Sequence, residues 1–323
     1  MENTKQYRVL EIFFRGLRGE NLSVRQLADE YGVSTKSITR SVNDLKNFLA
    51  DHRDLVGNTE LEYSYGDKCY RLRMDEFLTH QELFALIEVL LGARAFSKLD
   101  LLTVVEKLKR FTTAEDRPKF TELVRKEVFH YPEVQHDCQN VQENLWTLVE
   151  CIGKQREISV EYIRMDRSIK TYRLRPASVM FADYYFYLIA FKEGSDEPRY
   201  FRIDRILDIV QHRKTFSTRD VPEFNEGLLR QRSLLMWPGP LRTIRFEFSG
   251  PSVQAVLDKL PTAKIIERRG GNQYLIEAEV YGDGIKMWLL SQGSWVKVIA
   301  PQAFADEMKQ EIEKMIARYK EGK

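Results

Sequence analysis

The stretch from 182 to 191, ADYYFYLIAF, leaves a folded chain few options. In steps of two, Tyr185, Tyr187, Ile189 and Phe191 share one face, and Phe186, Leu188 and Ala190 share the other. Both faces are apolar or aromatic, so the stretch reads as a central strand covered on both sides. No run in the chain approaches the roughly 20 apolar residues of a membrane span, so burial must come from the protein itself. At 323 residues the chain is too long for one ordinary core and suits two or three domains.

The segments around this strand are short and closely spaced: 158–164, 171–175, 184–191 and 199–206 all read as strands. The tight turn Glu193-Gly194-Ser195-Asp196 adds to a pattern that predicts an SH3-like or Sm-like barrel. A helix, VQENLWTLVECIGKQRE, leads into the first of them.

The flanks are basic. Lys154, Arg156, Arg164, Arg167, Lys170, Arg173 and Arg175 stand against Glu157, Glu161 and Asp166, and RYFRIDRI adds Arg199, Arg202 and Arg205. Fork-shaped guanidiniums suit phosphates, and tyrosine rings can stack bases. Candidate effector contacts are therefore Tyr162, Arg164, Arg173, Arg175, Tyr185, Tyr187, Arg199, Arg202 and Arg205. The alternative is a solvated basic face with Arg202 or Arg205 paired to Asp204, and the residues alone leave the two level.

Near the start, apolar residues recur at helical spacing at Tyr7, Leu10, Phe13 or Phe14, and Leu17. A short helix follows, with Ser23 as its N-cap and Val24, Leu27 and Ala28 along it. Gly32 breaks that helix, and Ser34 caps the next, whose buried stripe is Ile38, Val42, Leu45 and Leu49. Helix, glycine turn and capped helix make a helix-turn-helix. The second helix turns Ser34, Thr35, Lys36, Ser37, Thr39 and Arg40 away from its stripe, the residue types that meet base edges and phosphates in a major groove. ELEYSYGDKCYRLRM then alternates as a hairpin, a wing from which Lys68, Arg71 and Arg73 can touch phosphates. A small packing domain without a DNA partner is the competing reading.

Thr79-His80-Gln81-Glu82 forms a capping box before LFALIEVLLGARAF, and two more helical stretches follow. They suit a spacer, and their apolar stripes serve either an internal core or a dimer contact. After the turn-rich MWPGPL, the order strand, helix, strand, strand, helix, strand plus a final helix is the ferredoxin-like unit.

LADEYGVSTKSITRSVNDL resembles the winged helix-turn-helix of DeoR-like regulators, with Ser41 where that pattern commonly has aspartate. YYFYLIAF and RYFRIDRI resemble the signatures of WYL-domain transcriptional regulators; Phe186-Tyr187-Leu188 stands for the naming tripeptide, and Ile203 replaces a leucine. Phe186 keeps much of a tryptophan's bulk without the indole N–H. MWLLSQGSWVKVIAPQAFADEMKQEI resembles the extension that accompanies such domains. The resemblance implies a homodimeric regulator that binds a double-stranded DNA operator and senses a nucleic-acid or nucleotide effector. The expected layout is a multidomain α+β chain. It has a winged helix-turn-helix over 1–75, a helical linker over 76–140, a WYL barrel over 141–215, a linker over 216–238 and a ferredoxin-like extension over 239–323.

Other classes are less well supported. A net charge of +2 restricts any nucleic-acid surface to a local patch. Cys69, Cys138 and Cys151 lie far apart, which fits free thiols in a reducing compartment, and His136-Asp137-Cys138 lacks a second ligand pair for a metal. No cofactor is implied. MENTKQYRVLEIFF lacks the features of a signal peptide, so a cytoplasmic protein is expected. No GxSxG, Walker or HExxH motif occurs, and the five histidines are scattered, so an enzyme is not expected. A single-strand-binding adaptor that modulates a partner enzyme is the remaining alternative.

Overall fold

The computed structural model describes residues 4–73, 78, 80–111, 116–138, 140–195, 197–217 and 225–320. It divides into two compact units, Met1–Gln135 and His136–Lys323. The architecture is multidomain α+β, as the sequence predicts.

In the first unit, α1 (Lys5–Leu17), α2 (Val24–Tyr31) and α3 (Thr35–Asp51) precede the short α4 (Arg53–Val56) and a hairpin of β1 (Glu60–Ser64) and β2 (Cys69–Arg73). Gly32, at φ 62°, ends α2 in the left-handed conformation that glycine adopts without penalty. Ser34 caps α3 by accepting from the Ser37 amide at 3.3 Å, whereas Ser23 stands before α2 without a side-chain bond. Ile38, Val42, Leu45 and Leu49 of α3 pack with Ile12, Leu22, Leu27 and Leu61 in one core.

Helix α1 departs from the expected stripe. Tyr7, Leu10 and Phe14 are exposed, and the buried face is Arg8, Ile12 and Gly16. The reason is the tightness of the contact with β2: a Cβ at Gly16 would lie 3.0 Å from the Leu72 Cβ, so the small residue sets which face turns inward.

Three further helices, α5 (His80–Ala93), α6 (Lys98–Lys109) and α7 (Asp116–Phe129), bury Leu83, Ile87, Leu101, Val105, Phe120 and Val124 against one another. Their main apolar stripes thus form an internal core. Thr79 of the expected capping box and Asp196 of the expected turn lie outside the described residues.

The second unit begins with α8 (Val141–Gly153), which packs on a five-stranded antiparallel sheet: β3 (Arg156–Ile163), β4 (Ile169–Ala182), β5 (Tyr185–Lys192), β6 (Pro198–Arg202) and β7 (Ile206–Thr215). The strand order is β6-β5-β4-β3-β7. Two strand expectations are corrected. The stretch 171–175 is only part of the 14-residue β4, which carries Pro176 and a register shift between Pro176 and Ser178. The stretch 199–206 is broken at Ile203–Arg205 by a 3₁₀ turn, after which β7 forms a strand that the sequence did not reveal. The sheet curls so that the Tyr162 hydroxyl of β3 accepts from the Arg202 amide of β6 at 3.2 Å. This is the small SH3-like barrel.

Strand β5 is covered on both faces by different elements. Leu188 and Ala190 face the barrel core with Leu148 of α8, and Phe186 packs against it. Ile189 and Tyr187 face Met180, Leu229 and Met236. Leu229 lies on α9 (Glu226–Arg232), which leads into the second domain of this unit.

That domain comprises β8 (Leu241–Phe248), α10 (Val253–Lys259), β9 (Lys264–Arg268), β10 (Tyr274–Tyr281), α11 (Gly284–Ser291), β11 (Val296–Ala300) and α12 (Gln302–Lys320). Its sheet order, β11-β8-β10-β9, is that of the ferredoxin-like βαββαβ unit. Ile244, Phe246, Ile276, Ile285 and Phe304 form its core.

Candidate functional site

Two groups of cations were expected to matter, and they are built differently. On α3, Thr35, Lys36, Thr39 and Arg40 are exposed. Lys36 and Arg40 make no hydrogen bond or ion pair among the described residues. The Thr39 hydroxyl donates to the Thr35 carbonyl within the helix at 3.0 Å, and Ser34 is used as the cap. Ser37 turns toward α1 instead of solvent: its hydroxyl accepts from Arg8 Nη2 at 3.1 Å. Arg8 Nε donates to the hydroxyl of fully buried Ser41 at 3.2 Å. The aspartate of the DeoR-like pattern would meet this guanidinium as a carboxylate. Here the buried charge rests on two hydroxyls.

On the wing, Lys68 sits exposed in the turn at φ 52°. Arg71 is less available than expected, because Asn21 Oδ1 accepts from it at 2.8 Å and Asp67 pairs with it at 2.9 Å. Arg73 pairs across the hairpin with Glu62 at 3.3 Å.

The barrel divides the expected effector residues. Tyr162, Arg164, Tyr187, Arg199, Arg202 and Arg205 line one cleft of about 620 Å³. The register explains part of this, since Tyr187 pairs with Arg202 across β5 and β6. Arg173 and Arg175 lie elsewhere. Arg173 is held by buried Glu157 through two bonds of 3.0 and 2.8 Å, and Arg175 donates to the Lys192 carbonyl at 3.1 Å. Lys214 also reaches Glu157 at 2.7 Å, so that carboxylate serves a structural cluster. Tyr185 is outside the cleft wall, with its ring 3.4 Å beneath the Arg202 guanidinium.

Fixed guanidiniums characterise the cleft. Arg202 makes a two-pronged pair with Asp204 at 3.0 and 2.7 Å, so the alternative pairing foreseen for it is realised within the cleft. Asp204 is 2% exposed. Burial raises its pKa, but hydrogen bonds from His136 and Arg202 outweigh that and hold it at about 2. Arg205 pairs with Asp137 at 3.3 Å, and Arg164 with Asp166 at 3.1 Å. Burial pushes the Tyr187 hydroxyl up to about 12, with nearby Arg202 opposing. The Lys192 ammonium is held below its ordinary value by burial, then by Arg199, Lys170 and Arg164. That second cause reports a concentration of positive charge.

The sequence missed several of these parts. His136, Asp137 and Cys138, considered there only as a metal fragment, dock on the signature turn: His136 Nδ1 lies 3.4 Å from Asp204, and the Cys138 thiol meets the Ile203 carbonyl at 3.9 Å. Lys192, Tyr172 and Trp237 also line the cleft. Trp237 stands in the turn-rich MWPGPL, where an exposed tryptophan among prolines and glycine was the available signal. Among the described residues no group of three His, Cys, Asp or Glu is placed to hold a metal, and no helix is long and apolar enough to cross a membrane.

A small barrel with a cationic cleft, followed by a ferredoxin-like domain, defines the class of this chain. The WYL domain model matches residues 143–211 and the WCX domain model residues 240–316, so the chain carries a WYL domain and, C-terminal to it, a WCX domain. No curated protein matches it significantly. Among solved structures it is similar to the proteasome accessory factor B/C (PafBC) of Arthrobacter aurescens, at 15% identity and a TM-score of 0.31, over 98% of this chain and 48% of that one. The chain thus spans about half the length of PafBC. It is also similar to a CRISPR Cas-related protein, at 16% identity and a TM-score of 0.38, over 90% of this chain and 88% of the other. Likenesses of this degree carry no functional argument.

Proposed function

We propose that the chain is a DNA-binding transcriptional regulator whose WYL domain senses a nucleic-acid or nucleotide effector and thereby tunes operator binding. One observation carries the reading. A capped helix presenting Lys36 and Arg40, unpaired among the described residues, shares a chain with a cleft of pre-oriented guanidiniums. The first suits a duplex, whose phosphates attract hydrated cations and whose major groove admits a helix. The second suits one small anionic ligand with a ring to stack. The WYL and WCX assignments support a regulatory role without a catalytic one.

In this reading Ser34, Thr35, Lys36, Thr39 and Arg40 meet the major groove, while Lys68 and Arg71 meet the backbone. Tyr162, Arg164, Tyr187, Arg199, Arg202 and Arg205 meet the effector. The layout is that of a head over 1–75, linker 76–140, sensor 141–215, linker 216–238 and extension 239–323, in a cytoplasmic homodimer. Half-sites then lie about one helical turn or a multiple apart. The effector acts only through a difference in affinity between two states of the protein.

The test is a mobility-shift titration of the native upstream DNA with wild type and Lys36→Ala/Arg40→Ala. Selective loss of specific binding by the folded double variant supports the reading. Unchanged binding removes the assignment of α3. Equal affinity of the wild type for any duplex, with strong single-strand binding, would favour an adaptor instead.

A further inference from the structure

The loop 234–240 is more constrained than a tether between two domains needs to be. Leu235 and Met236 both hold positive φ, at 54° and 47°, a region that residues with side chains occupy only when their surroundings force it. Here the surroundings belong to the ferredoxin-like domain. Ser233 bridges to Tyr281, and the Gly282 amide donates to the Pro240 carbonyl at 3.1 Å. A Cβ on Gly282 would overlap the Trp237 carbonyl oxygen, and one on Gly284 would overlap that of Leu234. Backbones approach this closely only where glycine stands.

The side chains show what the strain accomplishes. Leu234 is buried in the ferredoxin-like core, and Met236 in the cluster beneath β5. Trp237 is left 44% exposed and lines the cationic cleft beside Arg202 and Arg205. An indole offers a large flat face with little conformational entropy to lose. Tyr172 and Tyr187 contribute aromatic surface to the same cleft, and Lys192 and Arg199 contribute charge.

We propose that Trp237 is a base-stacking platform, so that the cleft selects a phosphate-bearing unpaired nucleobase over phosphate alone. This rests on the reading of the cleft as the effector site and adds what the effector must contain. The same chemistry is offered by a single strand and by a free nucleotide.

The test uses the full chain. Binding of fluorescein-labelled oligodeoxythymidylate is measured by anisotropy, with thymidine 5′-monophosphate and tripolyphosphate as competitors, for wild type, Trp237→Leu, Trp237→Phe and Arg202→Ala. Base stacking on an aromatic predicts that Trp237→Leu weakens the oligonucleotide about tenfold and Trp237→Phe by less than about threefold. Tripolyphosphate should compete equally with probe bound to each Trp237 variant once its constant is corrected for probe affinity. Quenching of tryptophan emission on binding should fall in Trp237→Phe. Competition by the mononucleotide at comparable concentration identifies a nucleotide as sufficient, and its failure identifies a strand; either supports the proposal.

Oligonucleotide binding unchanged in Trp237→Leu but lost in Arg202→Ala overturns the stacking role and leaves the cleft assignment standing. Equal losses of oligonucleotide and tripolyphosphate in Trp237→Leu make Trp237 structural and also overturn it. A wild type that binds neither oligonucleotide nor nucleotide removes the cleft assignment and the stacking role together.

Discussion

Lys36 and Arg40 on α3 stand in water without an ion pair among the described residues, whereas Arg202, Arg205 and Arg164 in the cleft are each held by a carboxylate. The contrast separates two ways of attracting an anion. Free cations keep their hydration and counterions until contact, and the gain comes from releasing those counterions, which suits a long polyanion. Held guanidiniums are oriented before the ligand arrives, so less ordering is needed at binding, which suits a single small ligand. The same amino acids thus do different work according to whether a carboxylate stands beside them.

Breaking the held side has the largest expected effect. Asp204→Ala leaves the Arg202 guanidinium without its buried countercharge and His136 without its hydrogen-bond partner, and is expected to destabilise the second unit by about 3–5 kcal/mol, measured by urea unfolding. The same carboxylate sets an acid limit. Its folded pKa of about 2 lies below the ordinary 3.8, so its contribution is complete only above about pH 5 and is lost as pH falls through 2. That contribution is roughly 2–3 kcal/mol. The stability gap between wild type and Asp204→Asn should therefore narrow between pH 5 and pH 2.

On the free side, Lys36→Ala/Arg40→Ala is expected to weaken duplex binding about 10- to 100-fold and to lower the slope of log affinity against log salt by about 2. The unfolding midpoint should not move, since neither side chain has a partner among the described residues. Ser41→Asp carries the held design into the head by giving Arg8 a carboxylate. It should stabilise the first unit by about 1–2 kcal/mol, read by thermal denaturation, with Ser41→Ala moving the other way. The smallest effect is Ser34→Ala, which removes the α3 cap. It should cost about 1 kcal/mol and speed amide exchange in the first turn of α3.

Legibility followed how local each cause is. The capped α3, the hairpin and the βαββαβ order could all be read, because Ser34, Gly66-Asp67 and the alternation of β8 and β10 act within a few residues. The face of α1 was misread because Tyr7, Leu10 and Phe14 have the right spacing. The choice of face lies instead in the contact of Gly16 with Leu72, which is remote in sequence. β7 was missed because ILDIVQHRKT buries little beyond Ile206, and its pairing with β3 supplies the strand. For the cleft, Arg202 and Tyr187 were readable as a signature. The exclusion of Arg173 and the inclusion of Trp237 depend on Glu157 and on the glycines 282 and 284, which no local pattern connects to them.

The 3₁₀ turn Ile203–Arg205 joins the two edge strands of the barrel, and its neighbours divide their labour residue by residue. Phe201, Ile203 and Ile206 fill the core, Asp204 is the lock, and Arg202 and Arg205 face the cleft. On the proposed reading of the cleft, a change of effector therefore has little room in RYFRIDRI, where Phe201, Ile203, Asp204 and Ile206 are buried. The adjustable surface is the rim, at Arg164-Met165, Lys192, Leu235 and Trp237, where side chains line the cleft from outside the signature. A library confined to those positions would vary the lining of the cleft while leaving the scaffold intact.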